Sequence, residues 1–195
     1  MKKAFLLVVI LFVSVISTAC INNLAVQELN NKAKVYLDKG DYDNAISRLK
    51  SSIDLDSTIF ETHYNLGIAY TQAEKYPEAI DTFKNALKIK PDFTDTYYSL
   101  AVAQENYAKD IIDGTIKEKA KGAGVNEEKA PETPDGVKQK TLTKEEKEQV
   151  IQLFNDAVES YNTYLEKASD IDNKNEIQEQ IKYLKTQTTK YTAEK

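Results

Sequence analysis

Residues 60–93 read FETHYNLGIAYTQAEKYPEAIDTFKNALKIKPDF, and this stretch decides the fold. Its first half repeats packing side chains at the three-and-four spacing of one helical face; they are Phe60, His63, Leu66, Gly67 and Tyr70. Its second half repeats the pattern with Tyr76, Ala79, Ile80, Phe83, Ala86 and Leu87. Pro91 ends the second helix, because its ring cannot continue the hydrogen-bond ladder. The stretch therefore predicts two antiparallel helices that approach closely at the small residues Gly67 and Ala79.

The pattern recurs at a distance of 34 residues. The repeated positions are Tyr36 and Tyr70, Tyr42 and Tyr76, Ala45 and Ala79, Ile46 and Ile80, and the series Ala33, Gly67 and Ala101. This period, with small and aromatic residues at fixed places, resembles the tetratricopeptide repeat (TPR) family. The resemblance implies an all-α fold, a short TPR solenoid of about three helix-turn-helix repeats with a C-terminal capping helix. Stacking is required because one helix pair cannot bury its apolar face alone.

The repeats are expected at residues 26–59, 60–93 and 94–171. Gly40-Asp41-Tyr42-Asp43 matches the turn of the family, and Gly40 can adopt the positive φ that a helix end often needs. In the third repeat, 56 residues separate Ala101 from Ala157, whereas 12 separate Gly67 from Ala79. The third repeat is therefore predicted to be interrupted by a long insertion.

Part of the insertion extends both helices of the third repeat, and a capping box from Thr143 to Glu146 is expected to open the second. The remainder, about 113–142, holds four of the six glycines and no aromatic residue. Such a segment buries too little apolar area to offset its ordering entropy, so we expect a flexible loop. It is either a partner-binding element that orders on contact or a tolerated, solvated insertion.

Residues 172–195 are predicted to form the C-terminal capping helix. Ile177, Ile181 and Leu184 lie on one helical face, with charged residues elsewhere. A solenoid needs such an end helix with a polar outer surface. The apolar pattern fades after Thr186, where the helix is expected to fray.

Residues 1–19 have the features of a secretory signal peptide: Lys2 and Lys3, an apolar run of about 13 residues, then small residues. Cys20 follows directly, which resembles the lipobox of bacterial lipoproteins, although Ser17 stands where that family usually has leucine. The resemblance implies lipidation of Cys20, a short linker over residues 20–25 and membrane anchoring. Because Ile21 follows the cysteine, it also implies the periplasmic face of the outer membrane in a two-membrane bacterium. The alternative is a plain signal peptide followed by an incidental cysteine.

Composition argues against several classes of function. The formal net charge is −5 and the only arginine is Arg48, so a nucleic-acid partner is not expected. One cysteine and one histidine give neither a disulfide framework nor a metal site. No paired-carboxylate, nucleophile or phosphate-loop motif is present, so we expect no enzyme, no cofactor and no small-molecule substrate. His63 is expected to be a packing residue.

The first helices of successive TPR units line a concave, peptide-binding groove, and the resemblance carries eleven positions into that groove. These predicted groove residues are Asn30, Lys34, Glu61, Tyr64, Asn65, Ile68, Thr71, Asp95, Tyr98, Val102 and Glu105. Chaperone-binding members grip a C-terminal carboxylate with Lys, Asn and Arg. Only Asn65 matches that clamp here, whereas Asp95 stands where a lysine would be. The alternative is that Tyr64 and Tyr98 are ordinary surface residues of the repeat.

Together these patterns predict a lipid-anchored TPR adaptor or scaffold that binds a protein or peptide partner at the bacterial cell envelope. The alternative is an accessory lipoprotein of outer-membrane protein assembly or of pilus and secretin biogenesis.

Overall fold

The computed structural model describes residues 23–114, 142–169 and 171–193, and these residues form seven α-helices without a β-strand. The helices are α1 (23–38), α2 (Tyr42–Leu55), α3 (Phe60–Gln72), α4 (Tyr76–Ile89), α5 (Thr94–Asp113), α6 (Lys144–Lys167) and α7 (Lys174–Ala193). The predicted all-α architecture is confirmed. In the part of the chain that is described, no helix combines the length and apolarity required to cross a bilayer. The predicted signal peptide, Cys20 and most of the predicted insertion lie outside the described residues.

The described chain divides into two compact units. The N-terminal unit ends at Pro91 and contains α1 to α4, whereas the C-terminal unit begins at Asp92 and contains α5 to α7. Each unit is built from helix pairs that are adjacent in sequence, as α2 packs on α3, α3 on α4, α5 on α6, and α6 on α7.

The core of the N-terminal unit is built from small and branched side chains at the predicted helical spacing. Its buried members are Ala33, Ala45, Ile46, Leu49, Leu66 and Ala69. Gly67 faces the ring of Phe83, and a β-carbon at Gly67 would lie 2.5 Å from Phe83 Cε1. The close helix approach predicted at Gly67 is therefore present, and the adjoining large residue fills the space that glycine leaves.

The turns of the first two repeats share the same backbone geometry. The amide of Asp41 donates to the Tyr36 carbonyl at 2.9 Å, and 34 residues later Lys75 donates to Tyr70 at 2.8 Å. Tyr42 and Tyr76 each begin a 14-residue helix, which confirms their predicted equivalence. Gly40 has φ 72°, and its counterpart Glu74 has φ 55°. Two turns of different sequence thus adopt one conformation.

The turn of the second repeat is also tied to the first by an exposed ion pair. Lys75 Nζ lies 2.8 Å from Asp43 Oδ1. This hydrogen bond raises the pKa of Lys75. Because both side chains reach solvent, the pair should add little to stability.

The end of α6 has the same backbone hydrogen bond as the end of α4 in the second repeat. The amide of Ala168 donates to the Tyr164 carbonyl at 2.9 Å at the end of α6, as Lys90 donates to Ala86 at the end of α4. The capping box is present, because Thr143 accepts from the Glu146 amide and the Glu146 side chain accepts from the Thr143 amide. The expected lengthening of both helices is present too, since α5 has 20 residues and α6 has 24.

Three predicted boundaries differ from the structure. Residues 23–25, assigned to the linker, belong to α1, where Val26 is buried and Gln27 donates to Asn23 Oδ1 at 2.9 Å. Residue 113, assigned to the insertion, is the last residue of α5. The capping helix does not fray after Thr186 but continues to Ala193, because the buried ring of Tyr191 extends its apolar face.

Candidate functional site

The predicted groove residues fall in both units, seven on α1 and α3 and four on α5. On α1, Lys34 is exposed, whereas Asn30 is half-buried. The Asn30 side-chain nitrogen lies 2.8 Å from Ser52 Oγ, 3.0 Å from Thr62 Oγ1 and 2.9 Å from the Val26 carbonyl. Ser52 and Thr62 are fully buried and lie on α2 and α3. The side-chain amide of Asn30 therefore joins three helices of its own unit. Of the two predicted groove residues on α1, Lys34 is the one that faces solvent.

The α3 positions form an aromatic and apolar surface with polar neighbours. The Tyr64 ring stacks on Phe60 at 5.9 Å and meets Phe83 at 6.0 Å between ring centroids. These contacts hold the Tyr64 ring on its helix and leave it half-buried. Asn65, Ile68 and Thr71 are also half-buried, and Glu61 is exposed. The Thr71 hydroxyl donates to the Gly67 carbonyl at 2.9 Å, so it is satisfied within its helix.

Three of the four α5 positions line one cavity of the C-terminal unit. Tyr98, Val102 and Glu105 border a space of about 320 Å³, whereas Asp95 is exposed and does not line it. The opposite walls come from α6, α7 and the residue before α7, through Tyr161, Asn173, Glu176, Ile177 and Gln180. Asn106 and Lys109 complete the lining. We call this space the α5–α7 cavity.

Glu105 is the most heavily bonded residue of the α5–α7 cavity. Its Oε1 accepts from Lys109 Nζ at 2.5 Å and from Gln180 Nε2 at 2.6 Å, and its Oε2 accepts from the Tyr161 hydroxyl at 3.1 Å. The residue is only 5% exposed. The neighbouring Gln104 accepts from Ser160 at 2.9 Å. This polar layer joins α5 to α6 and α7, so Glu105 is a structural residue as well as a cavity-lining one.

Two tyrosines beside the cavity are electrostatically perturbed. Burial, and then the Glu105 carboxylate, raise the pKa of Tyr161. Burial, and then Asp95, raise the pKa of Tyr164, whose ring lies 5.4 Å from that of Tyr98. Both phenols therefore hold their protons more strongly than a free tyrosine, and the Tyr161 hydroxyl donates to Glu105.

His63 occupies the predicted packing position. Its side chain is buried, and Nε2 donates to the Ser57 carbonyl at 2.9 Å. Among residues 23–114, 142–169 and 171–193, no three His, Cys, Asp or Glu side chains converge on a possible metal site.

Sequence reasoning missed the α6 and α7 side of the cavity. The sequence patterns described above point to none of Tyr161, Gln180 and Lys109, although all three line the cavity. The single available signal was the spacing of Glu105 and Lys109, four residues apart, which pairs side chains on a helix surface. Gln180 lies 75 residues from Glu105, so no local pattern could connect them.

Comparison with known proteins identifies the family to which the repeated helix pairs correspond. The family model described as tetratricopeptide repeat matches residues 60–93, and a second model, described as TPR repeat, matches residues 33–73. Residues 33–93 are tetratricopeptide repeats. No curated protein sequence matches the chain significantly.

The fold of this chain is also similar to that of solved TPR structures. The first TPR of Spaghetti (RPAP3), solved with the HSP90 peptide SRMEEVD bound, has a TM-score of 0.56 and 15% identity, with 85% of this chain and 94% of that chain covered. The solution structure of the first TPR domain of human RPAP3 gives 0.55 and 15%, with 86% and 95% covered. At this identity the likeness shows the fold alone, an all-helical arrangement like that of a TPR domain.

Proposed function

We propose that this chain is a lipid-anchored TPR adaptor, which binds a protein or peptide partner on the first-helix faces of its repeats at the bacterial cell envelope. The observation that carries the proposal is the α3 face of a tetratricopeptide repeat. It presents the half-buried Tyr64 and Ile68 beside the exposed Glu61. Apolar anchors with a charged margin suit an extended or helical peptide segment.

The expected partner differs from the acidic peptide of the Spaghetti domain. That peptide ends in EEVD and carries its own negative charges. In this chain Asp95 is exposed, and the donor group of Asn30 is engaged with Ser52 and Thr62. Because carboxylates repel a carboxylate-rich tail, we propose a partner without an acidic C-terminus.

Site-specific photocrosslinking in living cells tests partner binding. A photoreactive phenylalanine at Tyr64 or Tyr98 should give a discrete adduct, whereas the same probe at the exposed Tyr183 of α7 should not. Identification of the adduct by mass spectrometry also separates an adaptor from an assembly accessory, whose adduct would contain an outer-membrane β-barrel or a secretin. Equal adducts at all three positions, or none at Tyr64 and Tyr98, would contradict binding on these faces.

Anchoring is supported by the sequence around Cys20 and has its own test. Cys20→Ser should move the protein from the membrane pellet to the soluble fraction, because acylation needs the thiol. Ser17→Leu restores the usual lipobox residue and should leave the protein in the pellet. Membrane association that persists in the Cys20→Ser variant would overturn the anchoring proposal.

A further inference from the structure

The α5–α7 cavity contains a carboxylate that is almost fully buried but still borders open space. Glu105 is 5% exposed and lines the cavity together with residues of α5, α6 and α7. Buried carboxylates require compensating donors or cations. The chemistry of this cavity is therefore governed by what neutralises Glu105.

Among the described residues that line the cavity, Lys109 is the one cation, and it comes from the same helix as Glu105. Its side chain is 46% exposed, whereas that of Glu105 is 7% exposed. A lysine ammonium on a flexible stem, one helical turn away and half in water, can leave its carboxylate without unfolding the helix. Lys109 therefore acts as an exchangeable counter-ion.

Glu105 can also accept a further donor. An ionised carboxylate offers about four lone-pair sites. Oε1 accepts from Lys109 and Gln180, but Oε2 accepts only from Tyr161 among the described residues. One lone pair of Oε2 thus stays available to a donor that enters the cavity.

The remaining walls favour a cation with an apolar stem. Tyr98 and Tyr161 line the cavity with ring centroids 5.7 Å apart, and tyrosine ring faces attract ammonium and guanidinium groups. Val102 and Ile177 supply apolar surface for aliphatic carbons, and Glu176 adds a second carboxylate. The described lining thus carries two carboxylates and one lysine.

We propose that the α5–α7 cavity binds an ammonium or guanidinium group on an aliphatic stem, which pairs with Glu105 in exchange for Lys109. In the cell the group is a lysine or arginine side chain of the polypeptide partner. The inference rests on the proposed adaptor function and deepens it, since it names the anchoring side chain of that partner. No covalent step is involved, because one ion pair replaces another.

Nuclear magnetic resonance of the full-length chain in detergent provides the test, and the Gln180 side-chain amide is the reporter because it donates to Glu105. The probe is the peptide acetyl-Ala-Arg-Ala-amide, and the matched neutral probe carries citrulline in place of arginine. We expect the arginine peptide to shift the Gln180 amide saturably and the citrulline peptide to leave it unchanged. Equal shifts with both peptides would overturn the proposal.

Two variants distinguish ligand exchange from a purely structural network. Glu105→Gln keeps the shape but removes the charge, so arginine-peptide affinity should fall about tenfold or more. Lys109→Met removes the internal competitor, so affinity should rise severalfold, while Lys182→Met, an exposed lysine of α7, should change nothing. If Glu105→Gln does not fold, the Lys109→Met result still decides. Affinity that falls or stays unchanged in Lys109→Met would refute the exchange.

Free spermidine identifies the source of the cation. Binding of the arginine peptide at least as tight as that of spermidine supports a polypeptide partner, whereas markedly tighter spermidine binding overturns that assignment. Crosslinking at Tyr64 in the N-terminal unit is independent of the cavity. Adducts at Tyr64 in the native chain, together with no binding of the arginine peptide to the native chain, would refute the cavity proposal and leave the adaptor function standing.

Discussion

The ring of Phe83 occupies the space that a side chain at Gly67 would need, with Cε1 only 2.5 Å from the position of an added β-carbon. Gly67→Ala should therefore lower the free energy of unfolding by about 1–3 kcal/mol, the usual cost of overpacking. We expect this loss to outweigh the gain of about 1 kcal/mol in helix propensity that alanine has over glycine in a helix interior. Urea unfolding followed by circular dichroism measures the difference.

Phe83→Leu provides the control, because a smaller side chain leaves room at Gly67. In the Phe83→Leu background, Gly67→Ala should cost much less than in the native background, so the double-mutant cycle should show coupling. Equal costs in both backgrounds would mean that the ring does not set the requirement for glycine.

Glu74 adopts the left-handed backbone conformation that its counterpart Gly40 adopts in the first repeat. Glu74→Gly should raise the free energy of unfolding by about 1 kcal/mol, because non-glycine residues are strained at positive φ. Glu74→Ala removes the same side chain but keeps the strain, so it should bring no gain. Thermal melts of the three proteins test the backbone argument, and equal melting temperatures for the Gly and Ala variants would contradict it.

Asn30 and Lys34 lie one turn apart on α1, yet the structure gives them different roles. Asn30→Ala should lower the free energy of unfolding by about 1–3 kcal/mol, since it removes the donor shared by buried Ser52 and Thr62. Lys34→Ala should leave stability within about 0.5 kcal/mol, because its side chain faces solvent. Denaturant titration measures both changes. A stable Asn30→Ala variant that loses its crosslinked partner would return Asn30 to the binding face.

The buried Tyr161 should make the free energy of unfolding depend on pH in alkaline solution. Its raised pKa means that the folded chain retains the phenolic proton after the unfolded chain has lost it. Below about pH 10 the protonated Tyr161 makes its full contribution to the free energy of unfolding. Above about pH 10 the free energy of unfolding should fall by up to about 1.4 kcal/mol per pH unit. Tyr161→Phe should flatten this fall in urea titrations between pH 9 and 11. Tyr183→Phe, at a 48% exposed ring, should not alter the slope.

The 34-residue period predicted the parts of the fold that depend on local sequence. It located the helix starts at Tyr42 and Tyr76 and the tight contact at Gly67. Each of these follows from helical spacing and turn chemistry within a few dozen residues. The same rules could not set the beginning of α1, where residues 23–25 lack the family pattern but are helical.

The candidate site was less predictable, because the period gives the face of a helix but not the partners of each side chain. Asn30 and Glu105 lie on α1 and α5, at positions that the resemblance assigns to a groove. Asn30 nevertheless bonds residues 22 and 32 positions away, and Glu105 bonds residues 56 and 75 positions away. Such partners are set by tertiary packing, and they turn two expected surface residues into internal connectors.

The helices of the third repeat are longer than those of the first two. With 20 residues against 13 in α3, α5 has about 10 Å of additional length at about 1.5 Å per residue. Ile111 and Val150 are buried, so the extra turns are packed and not merely solvated. A fluorescent reporter inserted between Gly114 and Leu142 would therefore be joined to the ends of α5 and α6, which are already held by packed side chains. The native gene could then be tagged for imaging at this point, leaving both chain termini untouched.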